Sequence, residues 1–259
     1  MANLSVVLIV RNEEHNITEC LGSVKGWADE IVVVDQSSTD QTVELSRRYT
    51  DKVFITEAKG ICNPDRMFGI EKTKNEWNLL LEADERVTPE LKAEIDAILE
   101  NDAGVKDAYF IPVKSYFCGR WIRYCGWYPA YNLRLSKKER VYFPPTLHTD
   151  GKPKDSAGYL INPLLHYSYP RIEDYMPKLN RYTSRWAQEA YGKGIRVKGI
   201  NSVMCFAIKP LYHFLRKYLL LGGYKEGFLG LFISVSSGLV IFMNYAKLWE
   251  IQFKHEVNK

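Results

Sequence analysis

Leu4-Ser5-Val6-Val7-Leu8-Ile9-Val10-Arg11-Asn12-Glu13-Glu14 is a continuous apolar, β-branched run, with Ser5 its one polar member, that stops abruptly in polar residues. Its apolar part lacks the alternation of a half-solvated strand, so both faces must be covered, as in a parallel sheet packed between helices. The same unit repeats downstream. Glu14 to Lys25 places Ile17, Leu21 and Val24 at helical spacing, and Ile31 to Val34 is a second buried strand. Asp40 to Tyr49 reads as a second helix, with Ser38 or Thr39 available as its N-cap. Val53 to Thr56 reads as a short strand, Arg66 to Lys74 as a helix and Trp77 to Leu81 as a fourth strand. Pro89 to Leu99 follows as a helix with proline in its first turn. This alternation predicts an α/β, Rossmann-like, mainly parallel sheet flanked by helices, with ligands at the carboxyl ends of the strands.

The remainder of the chain changes character twice. From about Asp107 to Ser168 it is rich in aromatics and turns, with short strands expected at Ala108 to Val113, Trp121 to Tyr131, Asn132 to Leu135 and Arg140 to Phe143. A small aromatic-rich β lobe over the sheet edge is the expectation. From Glu173 the pattern is helical, with Tyr175, Leu179, Tyr182 and Trp186 broadly along one face. Val203 to Leu221 mixes apolar residues with Lys209, His213, Arg216 and Lys217, and Gly227 to Met243 carries no charge. Three placements are open for this C-terminal amphipathic helical tail: a buried hairpin, a helix pair on a membrane surface, or a true span. The expected division is an α/β half over 1–106, a β-rich lobe over 107–170 and a helical tail over 171–259.

Composition narrows the function classes. A content of 46% hydrophobic and 25% charged residues argues against global disorder. A net charge of +4, without a dense Lys/Arg stripe interleaved with aromatics, gives no reason to expect a nucleic-acid partner. Cys20, Cys62, Cys118, Cys125 and Cys205 form no CxxC pair and are odd in number, so a reducing cytosol is the simpler setting. The N-terminus lacks a basic n-region and a cleavage site, and export is not expected.

Three strand ends carry the polar residues that suggest chemistry: Arg11-Asn12-Glu13-Glu14, Asp35-Gln36-Ser37-Ser38-Thr39-Asp40 and Glu82-Ala83-Asp84-Glu85. Glu82 and Asp84 lie two apart on an extended chain and point to the same side, an arrangement that suits a divalent cation bound through oxygen. Singly, Asp35 and Asp40 read as turn and capping residues. Three polar strand ends in order along one sheet point instead to a shared crevice.

Residues 4–100 resemble the family 2 inverting glycosyltransferases of the GT-A fold, through LSVVLIVRNEEHNI, WADEIVVVDQSSTDQTVELS and EWNLLLEADERVTPEL. The likeness continues through GRWIRYCGWYPAYNLRL, PLLHYSY, LNRYTSRWA and NYAKLWE, and is nearest to the lipopolysaccharide core subgroup. It implies transfer of a sugar, with inversion, from a nucleotide-sugar donor (a UDP-sugar favoured) to a glycolipid or lipid-linked glycan of the cell envelope. It also implies that Arg11, Asn12, Glu13 and Asp35 hold the base and ribose, with Ser38 and Asp40 supporting that turn and Arg66 near the donor. Glu82 and Asp84 would hold Mg²⁺ or Mn²⁺ against the diphosphate, whose negative charge grows as it leaves.

An inverting transfer also needs a general base for the acceptor hydroxyl. Relatives usually carry Asp after Gly-Trp-Tyr-Pro, where this chain has Ala130, and often an acid directly after a later His, where it has Thr149 and then Asp150. Asp150 is the first candidate base and Glu85 the second, with His148 orienting or contacting phosphate. Two further departures are EAD in place of DAD and DQSSTD in place of DSGSTD. Trp121, Trp127 and Tyr128 can stack on an acceptor sugar or fill a small core, and Arg120, Arg123 and Arg134 can meet acceptor phosphates. His166 reads as a structural hydrogen-bonding residue. The expected location is cytoplasmic, peripheral on the inner face of the plasma membrane, with the tail on the lipid. Two other classes compete: a glycosyltransferase-like binding or scaffolding subunit without catalysis, and a nucleotidyltransferase. The latter would want a Gly-rich phosphate loop, which Val10-Arg11-Asn12-Glu13 does not offer.

Overall fold

The computed structural model describes residues 3–58, 62–101, 105–144, 151–199 and 201–257. These fall into two compact units, one made of 1–114 and 129–167 and the other of 115–128 and 168–259.

In the first unit, strands β1 (Leu4–Val10), β2 (Glu30–Asp35), β3 (Val53–Ile55) and β4 (Trp77–Leu81) alternate with helices α1 (Ile17–Val24), α2 (Thr42–Arg47) and α3 (Asn63–Lys72). The short β5 (Glu85–Arg86) and α4 (Pro89–Glu100) follow. Next come β6 (Ala108–Phe117), β7 (Arg120–Trp121), β8 (Ala130–Lys137), β9 (Val141–Tyr142), β10 (Lys152–Pro153), β11 (Ala157–Tyr159) and β12 (Leu164–Tyr169), of which β7 and the last residues of β6 and β12 fall in the second unit. β1 pairs in parallel with β2 and β4, and β2 with β3, as the alternation predicts. The two long strands of the aromatic region do not build a sheet of their own. β8 pairs antiparallel with β4 and β6, giving the order β3-β2-β1-β4-β8-β6-β12-β5. Covering β4, with Leu79 opposite Leu135, removes an apolar open edge. The predicted strand from Trp121 to Tyr131 is largely turns, because Cys125 and Gly126 adopt left-handed φ values that interrupt extension.

Successive residues of β1 alternate between two cores. Val6 and Leu8 join Ile17, Leu21, Leu79, Leu91 and Ile95 on one face. Val7 joins Val32, Val34, Ile70, Leu80 and Leu133 on the other. The strand is therefore apolar at every step but Ser5, whose hydroxyl donates to Glu30 Oε2 at 2.6 Å. Helix α3 comes close to the second face at Gly69, where a Cβ would stand 2.6 Å from Val7 Cγ1. Helix α4 begins as predicted, with Thr88 Oγ1 accepting the Leu91 N–H at 3.1 Å. Helix α2 does not. It starts at Thr42, and Asp40 Oδ1 accepts the Thr42 N–H and hydroxyl at 3.0 and 2.6 Å, while Ser38 is drawn into the strand-tip contacts described below.

The second unit contains α5 (Ile172–Gly192), a helical stretch over 201–220 and α7 (Phe228–Val257). The 201–220 stretch is α6 (Lys209–Leu215) flanked by the π-helical segments Met204–Ile208 and Arg216–Leu220. Its aromatic core centres on Phe117, whose ring lies 6.0, 5.4, 5.8 and 5.7 Å from those of Trp127, Tyr169, Tyr175 and Phe232. Glu226 is buried and accepts the backbone N–H groups of Arg123 and Tyr124 at 2.8 and 3.2 Å. Lys217 Nζ donates to the Cys125 carbonyl at 2.8 Å. Helix α7 extends well past the charge-free run seen in the sequence. By length and composition it is long and apolar enough to cross a membrane.

Candidate active site

The tips of β1 and β2 are laced together by backbone-to-side-chain hydrogen bonds. Asn12, with φ of 55°, donates its N–H to Ser38 Oγ at 2.9 Å, and its Oδ1 accepts the Thr39 N–H at 2.8 Å. Glu13 N–H donates to Thr42 Oγ1 at 2.7 Å and Glu14 N–H to Asp40 Oδ2 at 3.1 Å. Asp35 is 1% exposed and accepts the Ser38 N–H and hydroxyl at 2.8 and 2.5 Å. Gln36 Nε2 reaches Asp65 Oδ2 at 2.5 Å, which fixes α3 to the same tip. Ser37 stands where the family pattern has Gly. Its φ is 54°, a conformation that costs a glycine little, and here the Ser37 hydroxyl holds it by donating to the Thr56 carbonyl at 2.8 Å. Arg11 is exposed at the end of β1.

At the tip of β4 the chain turns on itself. Glu85 N–H donates to the Glu82 carbonyl, and Glu82 N–H donates to Glu85 Oε2, both at 2.9 Å. Arg134 from β8 enters this turn, its Nη2 2.6 Å from Glu85 Oε1 and 2.9 Å from Glu82 Oε1. Arg66 from α3 places Nη2 3.0 Å from the same Glu82 oxygen. Arg134 and Glu85 are 5% and 0% exposed as side chains, so each charge depends on its partner. The Arg134 guanidinium, with Arg66 and His166 behind it, holds the Glu82 carboxyl far below the usual carboxylate range. Burial pushes Glu85 upward despite Arg134. For Arg134, burial works against the charge, but Glu85 and Glu82 more than offset it.

β12 runs antiparallel to β5 and sets His166 opposite Glu85. His166 Nε2 lies 3.1 Å from Asp84 Oδ2. Burial would lower the His166 pKa, but the Asp84 hydrogen bond and charge raise it. Glu82, Asp84 and His166 each offer a ligand atom, all within 4.8 Å of one another. Two carboxylates and an imidazole fit a divalent cation, and the nitrogen ligand suits Mn²⁺ better than Mg²⁺.

The strand tips thus gather Asn12, Glu13, Asp35, Ser38 and Asp40, and the β4 turn gathers Arg66, Glu82, Asp84 and Glu85. Arg134, expected beside acceptor phosphates, is placed inside the β4 turn. Glu85, the second candidate base, lies wholly beneath the surface. Trp127 and Tyr128 belong to the second unit, Trp127 packed on Phe117 and Tyr128 edge-on to Trp121 at 5.3 Å. Arg123 lies over the Trp121 ring at 4.5 Å. His148 and Asp150 lie outside the described residues. The sequence reading of His166 as a hydrogen-bonding residue did not include its place as a candidate ligand beside Glu82 and Asp84. The available signal was a polar residue in the middle of the strand-like Leu164-Leu165-His166-Tyr167.

Residues 5–149 match the family described as Glycosyl transferase family 2. An uncharacterised glycosyltransferase of Rickettsia typhi is 28% identical over 267 residues, covering 98% of this chain and 89% of the relative. The lipopolysaccharide core biosynthesis glycosyltransferase LpsC of Rhizobium meliloti is 25% identical over 254 residues, covering 95% and 92%. The solved structure of S. aureus TarS 1–349 in complex with UDP-GlcNAc aligns at a TM-score of 0.47 and 16% identity, over 98% of this chain and 92% of that one. The family match runs through all three polar strand ends and the strand carrying Arg134, and the chain belongs to glycosyl transferase family 2 as a nucleotide-sugar-dependent glycosyltransferase.

Proposed function

We propose that this enzyme transfers one sugar, with inversion, from a UDP-sugar to a glycolipid or lipid-linked glycan of the cell envelope, at the inner face of the plasma membrane. The observation that carries the reading is the convergence of Glu82, Asp84 and His166 at the end of β4, flanked by Arg66 and Arg134. The printed name of LpsC supports the envelope assignment. Glu82, Asp84 and His166 would hold Mn²⁺ or Mg²⁺, which supplies positive charge against the departing diphosphate. Arg66 adds a second cation on that side. Arg134 and Glu85 keep the Glu82 carboxylate in one orientation, which makes Glu85 a positioning residue. Asn12, Glu13, Asp35, Ser38 and Asp40, with Arg11 beside them, frame the place for base and ribose.

Asp150 is assigned as the base. It takes the acceptor hydroxyl proton as that oxygen bonds to the anomeric carbon and the nucleoside diphosphate leaves with the electrons of the broken C–O bond. Trp127, Tyr128 and His148 are assigned to the acceptor side. The test is transfer and donor hydrolysis with Mn²⁺ or with chelator, in wild type and in Glu82→Ala and Asp84→Ala. Each substitution should lower kcat by about 10²–10³-fold, the scale of losing one group that stabilises developing negative charge. Unchanged rates in both variants would move the metal role elsewhere. A binding subunit without catalysis is the competing reading, favoured by the two guanidinium groups that already face Glu82. Nucleotide-dependent stabilisation with no turnover on any acceptor would select it.

A further inference from the structure

The helices of the second unit combine an exposed apolar stripe with a one-sided charge pattern. Ile208, Leu211, Leu215 and Leu219 recur at helical spacing and are 40–56% exposed. On α7, Phe228, Val235 and Trp249 are 68%, 52% and 49% exposed. Leu220, at 77%, lies near the turn between the two helices. Soluble monomers rarely leave so long an apolar strip uncovered. Glu226 is the single acidic residue between Asn201 and Trp249, and it is buried against the N–H groups of Arg123 and Tyr124. The exposed charges of this stretch, Arg216 and Lys225 among them, are therefore all positive. Tyr212 and Tyr224 add exposed amphipathic rings of the kind that settle at a lipid–water boundary.

We propose that this stripe is a docking surface for an anionic lipid bilayer. Leu211, Leu215, Leu219 and Phe228 enter the apolar boundary, and Arg216 and Lys225 meet headgroup phosphates. A second copy of this chain fits less well, because a self-complementary contact would set the same acid-free cationic stripe against itself. Each exposed cation adds about fivefold to affinity for an anionic surface. The inference rests on the membrane placement in the functional reading and specifies its residues and lipid charge.

The experiment is co-sedimentation of the full chain with phosphatidylcholine vesicles, with or without phosphatidylglycerol, over a salt series. The protein should pellet with the anionic vesicles and be released by salt. Arg216→Glu combined with Lys225→Glu should weaken binding more than tenfold, with circular dichroism and donor hydrolysis unchanged. Leu215→Ser with Leu219→Ser should lose binding even at low salt. Equal pelleting with neutral vesicles, indifference to charge reversal, or lipid-free self-association that the same substitutions abolish would each overturn the proposal. Vesicle binding without transfer to any acceptor would sink the functional reading alone, whereas transfer to soluble acceptors without vesicle binding would sink this one alone.

Discussion

Asp84 and His166 make the site's response to pH calculable in sign. The His166 folded pKa lies above that of a free imidazole, so its pairing with Asp84 stabilises the metal-free protein fully below about pH 6.5 and ceases to do so as pH rises through the folded value. A cation needs the neutral ring, so metal binding expels that proton. Mn²⁺ affinity should therefore rise with pH through the His166 titration, with proton release visible by calorimetry in buffers of different ionisation enthalpy. His166→Gln should abolish both the release and the slope. At Glu82 the longer side chain is what reaches Arg66 and Arg134 at 3.0 and 2.9 Å. Glu82→Asp would restore the family's usual residue but draw the carboxylate away from both guanidinium groups. Loss of about 1–3 kcal/mol is expected, read as a lower Tm, with Mn²⁺ binding retained. An unchanged Tm would mean that the arginines do not depend on the longer reach. Glu82 and Asp84 were marked in the sequence on the premise of an extended chain, whereas β4 ends at Leu81 and the chain turns over 82–85, and that turn sets the two carboxylates within 4.8 Å of each other and of His166. Arg134 and His166 were also marked, the first for acceptor phosphates and the second as a structural hydrogen-bonding residue, but their place beside Glu82 and Asp84 was not, because only the register of β8 on β4 and of β12 on β5 delivers them.

Elements place these side chains, and two close approaches show how. Arg66 and Asp65 ride on α3, which meets the sheet at Gly69. Gly69→Ala would press a methyl to 2.6 Å from Val7 Cγ1 and 3.2 Å from Val34 Cγ2. Overpacking of this kind costs about 1–3 kcal/mol. Thermal unfolding should shift down accordingly, and the donor KM should rise as Arg66 moves. A lower Tm with an unaltered KM would detach α3 from donor binding. In the second unit, Glu226→Ala would leave the Arg123 and Tyr124 N–H groups without their acceptor, a loss of about 1–3 kcal/mol. Hydrogen exchange at those two amides should accelerate, and Glu226→Gln, which keeps a carbonyl acceptor, should recover most of the protection. β1, β2 and β4 were legible because burial on both faces leaves them apolar at nearly every position, Ser5 and Asn78 being the interior exceptions. The aromatic region misled, since its strands read as short and separate when seen alone. Only pairing with β4 shows that β8 and β6 extend the main sheet.

Across the whole molecule, the residues proposed to hold the cation and the stripe proposed to face lipid are carried by different units, and this separates two stabilising influences. Glu82, Asp84 and His166 all belong to the first unit. A ligand present at one hundred times its Kd stabilises the state that binds it by about 2.7 kcal/mol. That stabilisation appears as slower exchange only at amides whose opening separates the ligands. Mn²⁺ with nucleotide should therefore protect β4, β5, β8 and β12, where the opening of any one strand disperses Glu82, Asp84, His166 or the Arg134 that orients Glu82. The 201–257 helices should exchange as before. Anionic vesicles should do the converse, slowing exchange over 201–220 and the first turns of α7 while leaving β4 and β12 unaltered. Metal-dependent protection centred on α7 would place the cation away from the β4 tip. Vesicle-dependent protection centred on β4 would place the lipid surface away from the helical stripe.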